Sequence, residues 1–344
     1  LFGQANSFLC DLIEAEIGGK IKGSAILLNM SEIAKFKTRF DRSLGRFLDR
    51  KRREMRRLTS DKYILEIVDH AKRLVMGGGK RIRPYLAWMS YREAGGKDSH
   101  VIETLVGLEL FHAFALVHDD IMDRGLERHG VPTTHRLYGD GQAILLGDLL
   151  FNWSYELIAP TKGREIFSKM VDEVIVGQML DVDATRRKKV SDQFIEDKMR
   201  LKTASYSFVR PLQFGAALAG KSKLFSKLEK FGLPLGLAFQ IQDDLLDITT
   251  SSTQLGKSAF NDVKEGQKTA FTQYASRRGF DLSRYKNKIL TVQDKKKIRE
   301  IFWNSGAIEY GKGLMEKYFM QAEKAAEGKV LFLNMVAYIR SRSH

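Results

Sequence analysis

The sequence predicts an all-α protein, a single-domain bundle of ten or more helices around a central catalytic cavity. Three observations carry that expectation. Apolar residues recur at three- and four-residue spacing almost everywhere from Ser31 onward. Clear strand alternation is scarce. Five prolines in 344 residues are too few for a turn-rich sandwich.

Residues 1–29 precede the first methionine, Met30, and read as an N-terminal extension, a tag or a processed remnant. Asp11, Glu14 and Glu16 interrupt its apolar positions and its start is not basic, which argues against a cleaved secretory signal. The domain proper is then 30–344. Phe36, Phe40, Leu44, Phe47 and Leu48 mark a first amphipathic helix; Ile64, Ile67, Val68 and Ala71 mark a second. Leu105, Leu108, Phe111, His112, Ala115 and Leu116 carry the same period into His118-Asp119. Helix stops fall at Gly77–Gly79, Gly95–Gly96, Gly139–Gly141, Pro160–Gly163 and Gly220. No fixed-period repeat, low-complexity tract or linker divides the chain.

At 43% hydrophobic and 29% charged residues, the composition excludes wholesale disorder. Cys10 is the single cysteine, so an intramolecular disulfide is impossible and a reducing, cytoplasmic setting is the expectation. The longest apolar runs, such as Ala143–Leu146, are too short to span a bilayer. The net charge of +15 raises nucleic acid, anionic lipid or a polyphosphate substrate as partners. That charge is unevenly placed. Residues 31–62 hold 12 Lys/Arg against 5 Asp/Glu and residues 277–299 hold 9 against 2, a net of +7 each. Residues 63–276 balance at 28 basic and 27 acidic. Global charge is therefore a poor guide to chemistry, and the basic flanks read as solvated faces or as a peripheral contact with anionic membrane.

The strongest chemical signal is Asp119-Asp120-Ile121-Met122-Asp123, echoed by Asp243-Asp244-Leu245-Leu246-Asp247. Residues i and i+4 share a helix face, so Asp119 and Asp123 project side by side, as do Asp243 and Asp247. Both clusters end apolar stretches, where carboxylates are costly unless paired or metal-bound. Such hard oxygen ligands suit Mg²⁺, which leaves its other positions to water and phosphate oxygens. Chance yields two such copies in roughly one chain in a few hundred. Gly77-Gly78-Gly79-Lys80-Arg81-Ile82-Arg83-Pro84 is a glycine-rich turn entering a helix, a setting that favours anions. It lacks the ending of a P-loop, which excludes a nucleotide triphosphatase of that type. Arg128-His129, Lys202-Thr203, Gly256-Lys257, Asp262 and Lys268-Thr269 are further candidates. Each taken alone is a coin toss against surface charge, and His112 alone reads as a core histidine.

Together and in this order, these motifs resemble the trans-isoprenyl diphosphate synthase (polyprenyl synthetase) family, most closely its archaeal-type geranylgeranyl diphosphate synthases. Gly177-Gln178 with Asp181, and Phe239-Gln240, also match, and the resemblance runs from about Ser31 to Thr269. It implies the isoprenoid synthase fold, a homodimer, no nucleic acid partner, and head-to-tail condensation of isopentenyl diphosphate with an allylic diphosphate. Carried over position by position, Asp119, Asp123 and Asp243 would hold three Mg²⁺ ions, with Asp120 and Asp244 beside them in the catalytic clusters. Arg128, Lys202, Lys257 and Lys268 would contact the allylic diphosphate, and Thr203 and Gln240 would line the reacting carbons. Lys80, Arg83, His112 and the residue at His129 would hold isopentenyl diphosphate. Phe114 and Ala115, five and four residues before the first motif, would set a C20 chain length.

Two departures from the family pattern stand out. His129 replaces the usual second arginine, and a histidine is charged only below about pH 6.5 unless a neighbour raises its pKa. Phe271 stands where the family often has proline. The rival readings are a farnesyl or longer-chain synthase, a class I terpene synthase, an inactive regulatory subunit, a Mg²⁺-dependent phosphohydrolase, and a basic lipid- or RNA-binding helical protein. The last leaves both carboxylate clusters unexplained, and they would repel nucleic acid.

Overall fold

The computed structural model describes residues 23–128, 130–249 and 260–342, with side chains from residue 32 onward. Among these the fold is all-α, apart from a two-strand hairpin, β1 (Glu127–Arg128) against β2 (Val131–Pro132). Its helices are α1 (Gly23–Leu58), α2 (Lys62–Met76), α3 (Ile82–Glu93), α4 (Val101–Met122), α5 (Thr134–Tyr138), α6 (Asp140–Ile158), α7 (Arg164–Ala184) and α8 (Asp192–Met199). A π-helical segment, Arg200–Val209, leads into α9 (Arg210–Leu218) and α10 (Phe225–Thr249). Beyond these lie α11 (Asn261–Glu265), α12 (Ala270–Arg277), α13 (Val292–Asn304), α14 (Ala307–Ala325) and α15 (Val330–Arg340).

The expected periodicity is the buried one. Phe36, Phe40, Leu44, Phe47 and Leu48 line the inward face of α1, and Ile67, Val68 and Ala71 that of α2, whereas Ile64, expected with them, is exposed in the first turn of α2. Helix α1 runs unbroken across position 30, where the sequence suggested a boundary. Helix α4 packs most extensively on α6, and α10 packs on α14 and the π-segment. One apolar cluster joins α1 through α7, the π-segment, α9 and α10 with α14 and α15; a second gathers α8, α10 and α11–α14. Met315 and Tyr318 touch both clusters.

Helix α4 corrects one expectation. It has a window of mean hydropathy 1.5, long and apolar enough by composition to cross a membrane. Counting uninterrupted apolar runs misses it, because Glu103, Glu109 and His112 break the run without lowering the mean much. Within the bundle 61% of that window is buried, so α4 is a core helix.

Glycine decides how the π-segment is seated. A Cβ at Gly177 of α7 would stand 2.4 Å from the Lys202 backbone nitrogen, and one at Gly236 of α10 would stand 2.5 Å from Ala204 Cα. Only glycine at both positions lets two helices close on the segment that carries Lys202 and Thr203. π-Helical turns are rare and concentrate at functional sites.

Candidate active site

Both aspartate motifs sit at the C-terminal ends of helices, α4 and α10. Asp119 accepts a hydrogen bond from Gln178 Nε2 (2.9 Å) and lies 3.5 Å from Lys202 Nζ. Asp120 is buried and bound by Arg128, whose Nη2 reaches Oδ1 at 2.6 Å and whose Nε reaches both oxygens at 2.9 Å. The β1–β2 hairpin thus serves to bring Arg128 back over α4. Asp123 is exposed at the cavity mouth, yet protein around it sheds enough water, beside the Asp119 charge, to push its carboxyl up to about 7.

In the second motif Asp243 pairs with Arg342, near the C-terminus (2.8 Å). Asp244 is buried and accepts from Gln240 Nε2 at 2.6 Å. Burial, then the charge of Asp262, raises its carboxyl well above the ordinary value. Asp247 accepts the backbone N–H groups of Asn261 (3.2 Å) and Asp262 (3.4 Å).

Between the two helix ends lies a polar cavity of about 220 Å³ lined by Asp123, Lys202, Thr203, Gln240 and Asp244, among others. Thr203 Oγ1 donates to Gln240 Oε1. Lys202 donates to Asp181 Oδ2 (2.5 Å). Burial works against its charge, but the carboxylates of Asp119 and Asp181 outweigh it and hold the ammonium above the ordinary lysine value. Glu265 also lines this cavity, with burial and then Asp123 raising it to about 8. Crowded, partly dehydrated carboxylates of this kind suit a divalent cation. The donors are all oxygen, and among the described residues no three His, Cys, Asp or Glu close on one point. Such a donor set fits Mg²⁺, which keeps water and takes phosphate oxygens.

A second cavity, about 350 Å³, brings Lys80, Arg83 and His112 together. Arg81, between the two basic residues, turns inward instead: its backbone is left-handed (φ +53°), and its guanidinium binds Asp41 (2.9 Å), Glu109 (2.6 Å) and the Val75 carbonyl (2.8 Å). That buried anchor leaves Arg83 to stack on Tyr206 (4.5 Å) and donate to Ser207 (2.7 Å). His112 Nδ1 lies 3.2 Å from the Tyr206 hydroxyl. A third cavity, apolar and about 650 Å³, descends from Asp119 past Phe114, Ala115, Val174 and Met179.

Lys268 is not on the wall with Lys202; it lines a neighbouring pocket with Lys286 and Asp281, and its neighbour Gln267 faces the polar cavity. Adjacent residues in an extended turn point apart, and a motif match at one-residue resolution does not choose between them. His129 and Lys257 lie outside the described residues. Phe271 needs no preceding proline-type start, because Thr269 and Thr272 cap α12 reciprocally (2.9 and 3.2 Å). Sequence reasoning missed Lys198, Glu265, Gln267 and Arg342, which in sequence look like ordinary surface polar residues.

An all-helical bundle with two aspartate-rich helix ends facing lysine across one cavity defines the isoprenoid synthase class. Residues 64–303 match the family described as Polyprenyl synthetase, and the chain belongs to that family. It is 30% identical over 294 residues to a geranylgeranyl diphosphate synthase of Methanosarcina mazei, covering 81% of this chain and 90% of that protein. To a geranylfarnesyl diphosphate synthase of Aeropyrum pernix it is 31% identical over 298 residues, covering 78% and 92%. A solved geranylgeranyl pyrophosphate synthase from Corynebacterium glutamicum, complexed with isoprenyl diphosphate and magnesium, superposes with a TM-score of 0.83. That structure is 28% identical, covering 90% of this chain and 99% of the other.

Proposed function

We propose that this chain condenses isopentenyl diphosphate head-to-tail with an allylic diphosphate to give geranylgeranyl diphosphate. The observation that carries the reading is the position of the α4 terminus, between the polar cavity and the apolar one. A diphosphate held at the first leaves its growing hydrocarbon tail in the second.

Asp119, Asp123 and Asp243 are the residues proposed to hold three Mg²⁺ ions. Bound there, the ions supply positive charge that strengthens its hold on the diphosphate as the allylic C–O bond ionises. Lys202 and Arg128 add fixed charge on the same side. The oxygens of Thr203 and Gln240 face the forming allyl cation without trapping it covalently. Lys80, Arg83 and His112 would seat isopentenyl diphosphate. The new C–C bond forms at the allylic carbon, and the final proton leaves to the departing diphosphate, so no side-chain base is required.

Incubation with Mg²⁺, isopentenyl diphosphate and farnesyl diphosphate tests the reading. The expected product is C20, and chelation of the metal abolishes it. No condensation product would overturn the function; a C25 product would favour the second reading, which the likeness to a geranylfarnesyl synthase supports. With His129 in place of arginine, KM for isopentenyl diphosphate is expected to rise as pH rises past about 6.5. Equal pH dependence in wild type and His129→Arg sinks that idea.

A homodimer is supported by apolar side chains left exposed on α6 and α7, including Leu145 and Met179, 62% and 64% exposed. Light scattering on the purified protein decides it. Peripheral contact with anionic membrane is supported by Lys35, Arg39, Arg42, Arg46, Arg53 and Arg57, which form an exposed stripe about 33 Å long on one face of α1. Sedimentation with vesicles is expected to need acidic lipid and to weaken with salt; binding indifferent to both dismisses the contact.

A further inference from the structure

We propose that Lys198 is a diphosphate-binding residue of this site, on the wall shared with Lys202. The inference rests on the prenyl-transfer reading above and adds a residue to its binding cradle.

Lys198 stands in the last turn of α8, faces the polar cavity and is 7% exposed. Its Nζ donates to Asp181 Oδ1 (3.0 Å) and to Gln267 Oε1 (3.3 Å). Lys202 takes the other Asp181 oxygen, at 2.5 Å. One buried carboxylate therefore holds two ammonium groups, one on each oxygen. Burial alone would raise Asp181; Lys202 and Lys198 outweigh it and keep the carboxyl below its ordinary range.

Lys202 also lies 3.5 Å from Asp119, whereas the ion pair of Lys198 is with Asp181, which it shares with Lys202, and its ammonium has given two of three donors to protein. A buried ammonium that shares its one ion-paired carboxylate is costly without further anions nearby. Asp123, Asp244, Asp262 and Glu265 line the same cavity and offset it. A divalent cation drawn to those carboxylates cancels the offset, and the lysine pair then faces the phosphate oxygens of the substrate. Lys198 and Lys202 are the cations that line this cavity among the described residues, since Lys268 lines the adjacent pocket.

The test uses the full chain with Mg²⁺ and compares Lys198→Met with a Lys198→Met/Gln267→Lys double variant. Gln267 meets Lys198 at 3.3 Å, so a lysine there returns an ammonium to the same space from the opposite wall. KM for the allylic diphosphate, KM for isopentenyl diphosphate, the calorimetric Kd for inorganic pyrophosphate and the melting temperature are measured together. Loss of a charge-assisted contact is expected to raise the allylic KM and the pyrophosphate Kd about tenfold or more in Lys198→Met, with KM for isopentenyl diphosphate within about twofold. The double variant is expected to recover most of that loss. An unchanged pyrophosphate Kd overturns the proposal, as does an equal rise in both KM values that Gln267→Lys fails to reverse, which marks a purely structural ion pair. If Lys198→Met does not fold, Lys198→Gln, which keeps a donor for Asp181, is judged by the same criteria. Failure of wild type to make any prenyl diphosphate would remove the functional reading, while the pyrophosphate titration would still decide the role of Lys198.

Discussion

The two aspartate motifs have the same spacing and the same place at a helix end, yet their carboxylates are employed differently. In the first, the middle aspartate is locked by a bidentate arginine eight residues away, and the last, Asp123, stands at the cavity mouth with a raised pKa. In the second, the last aspartate, Asp247, is turned to backbone N–H groups and stitches the start of α11 to the end of α10. Its first aspartate meets an arginine 99 residues on, at the far end of the chain. Identical i, i+4 geometry guarantees a shared helix face; what the face meets depends on the elements packed over it.

The largest expected effect separates the last aspartates. Asp123→Asn is expected to lower kcat/KM by about 10³-fold, because an amide is a poor ligand for the Mg²⁺ whose positive charge would face the developing diphosphate. Asp247→Asn keeps an acceptor for the α11 backbone and is expected to cost about tenfold or less, with a lowered melting temperature. Equal catalytic losses would break the contrast. The arginines come next. Arg128→Gln strands the buried Asp120 charge and should cost about 3 kcal/mol by denaturant unfolding. Arg342→Gln removes one contact of the half-exposed Asp243 and strands no buried carboxylate, and should cost about 1 kcal/mol. The smallest effect concerns product length. Phe114, which lines the apolar cavity, should when changed to Ala lengthen the product by one or more C5 units. Phe239, which carries the Arg342 guanidinium on its ring at 3.9 Å, should leave chain length alone when changed to Ala. Unchanged products for Phe114→Ala would remove it as the floor of the cavity.

Much of the site was readable from local pattern. Asp119, Asp123, Lys202, Thr203, Gln240 and Asp244 were each singled out in sequence, and the fold gathers Asp123 with Lys202, Thr203, Gln240 and Asp244 around one cavity. Lys198 was not, because a lysine on a polar helix turn reads as solvent-facing until Asp181 and Gln267 are seen to enclose it. Glu265 and Arg342 were hidden for the same reason. Lys268 lines the pocket beside the polar cavity while Gln267 faces the cavity itself, a difference that sequence does not show because no periodic element sets the direction of side chains in that turn.

By itself the sequence determined the helices, their buried faces and the pairing of carboxylates at i and i+4, because these follow from a 3.6-residue period acting within a few turns. Only the tertiary structure decided which charge answers which. Arg81 went to Glu109 and Asp41, Arg342 to Asp243, and two lysines to one Asp181. Those choices join residues from 17 to 99 positions apart, and electrostatics in a dehydrated interior depends on distance through space, to which spacing along the chain is blind.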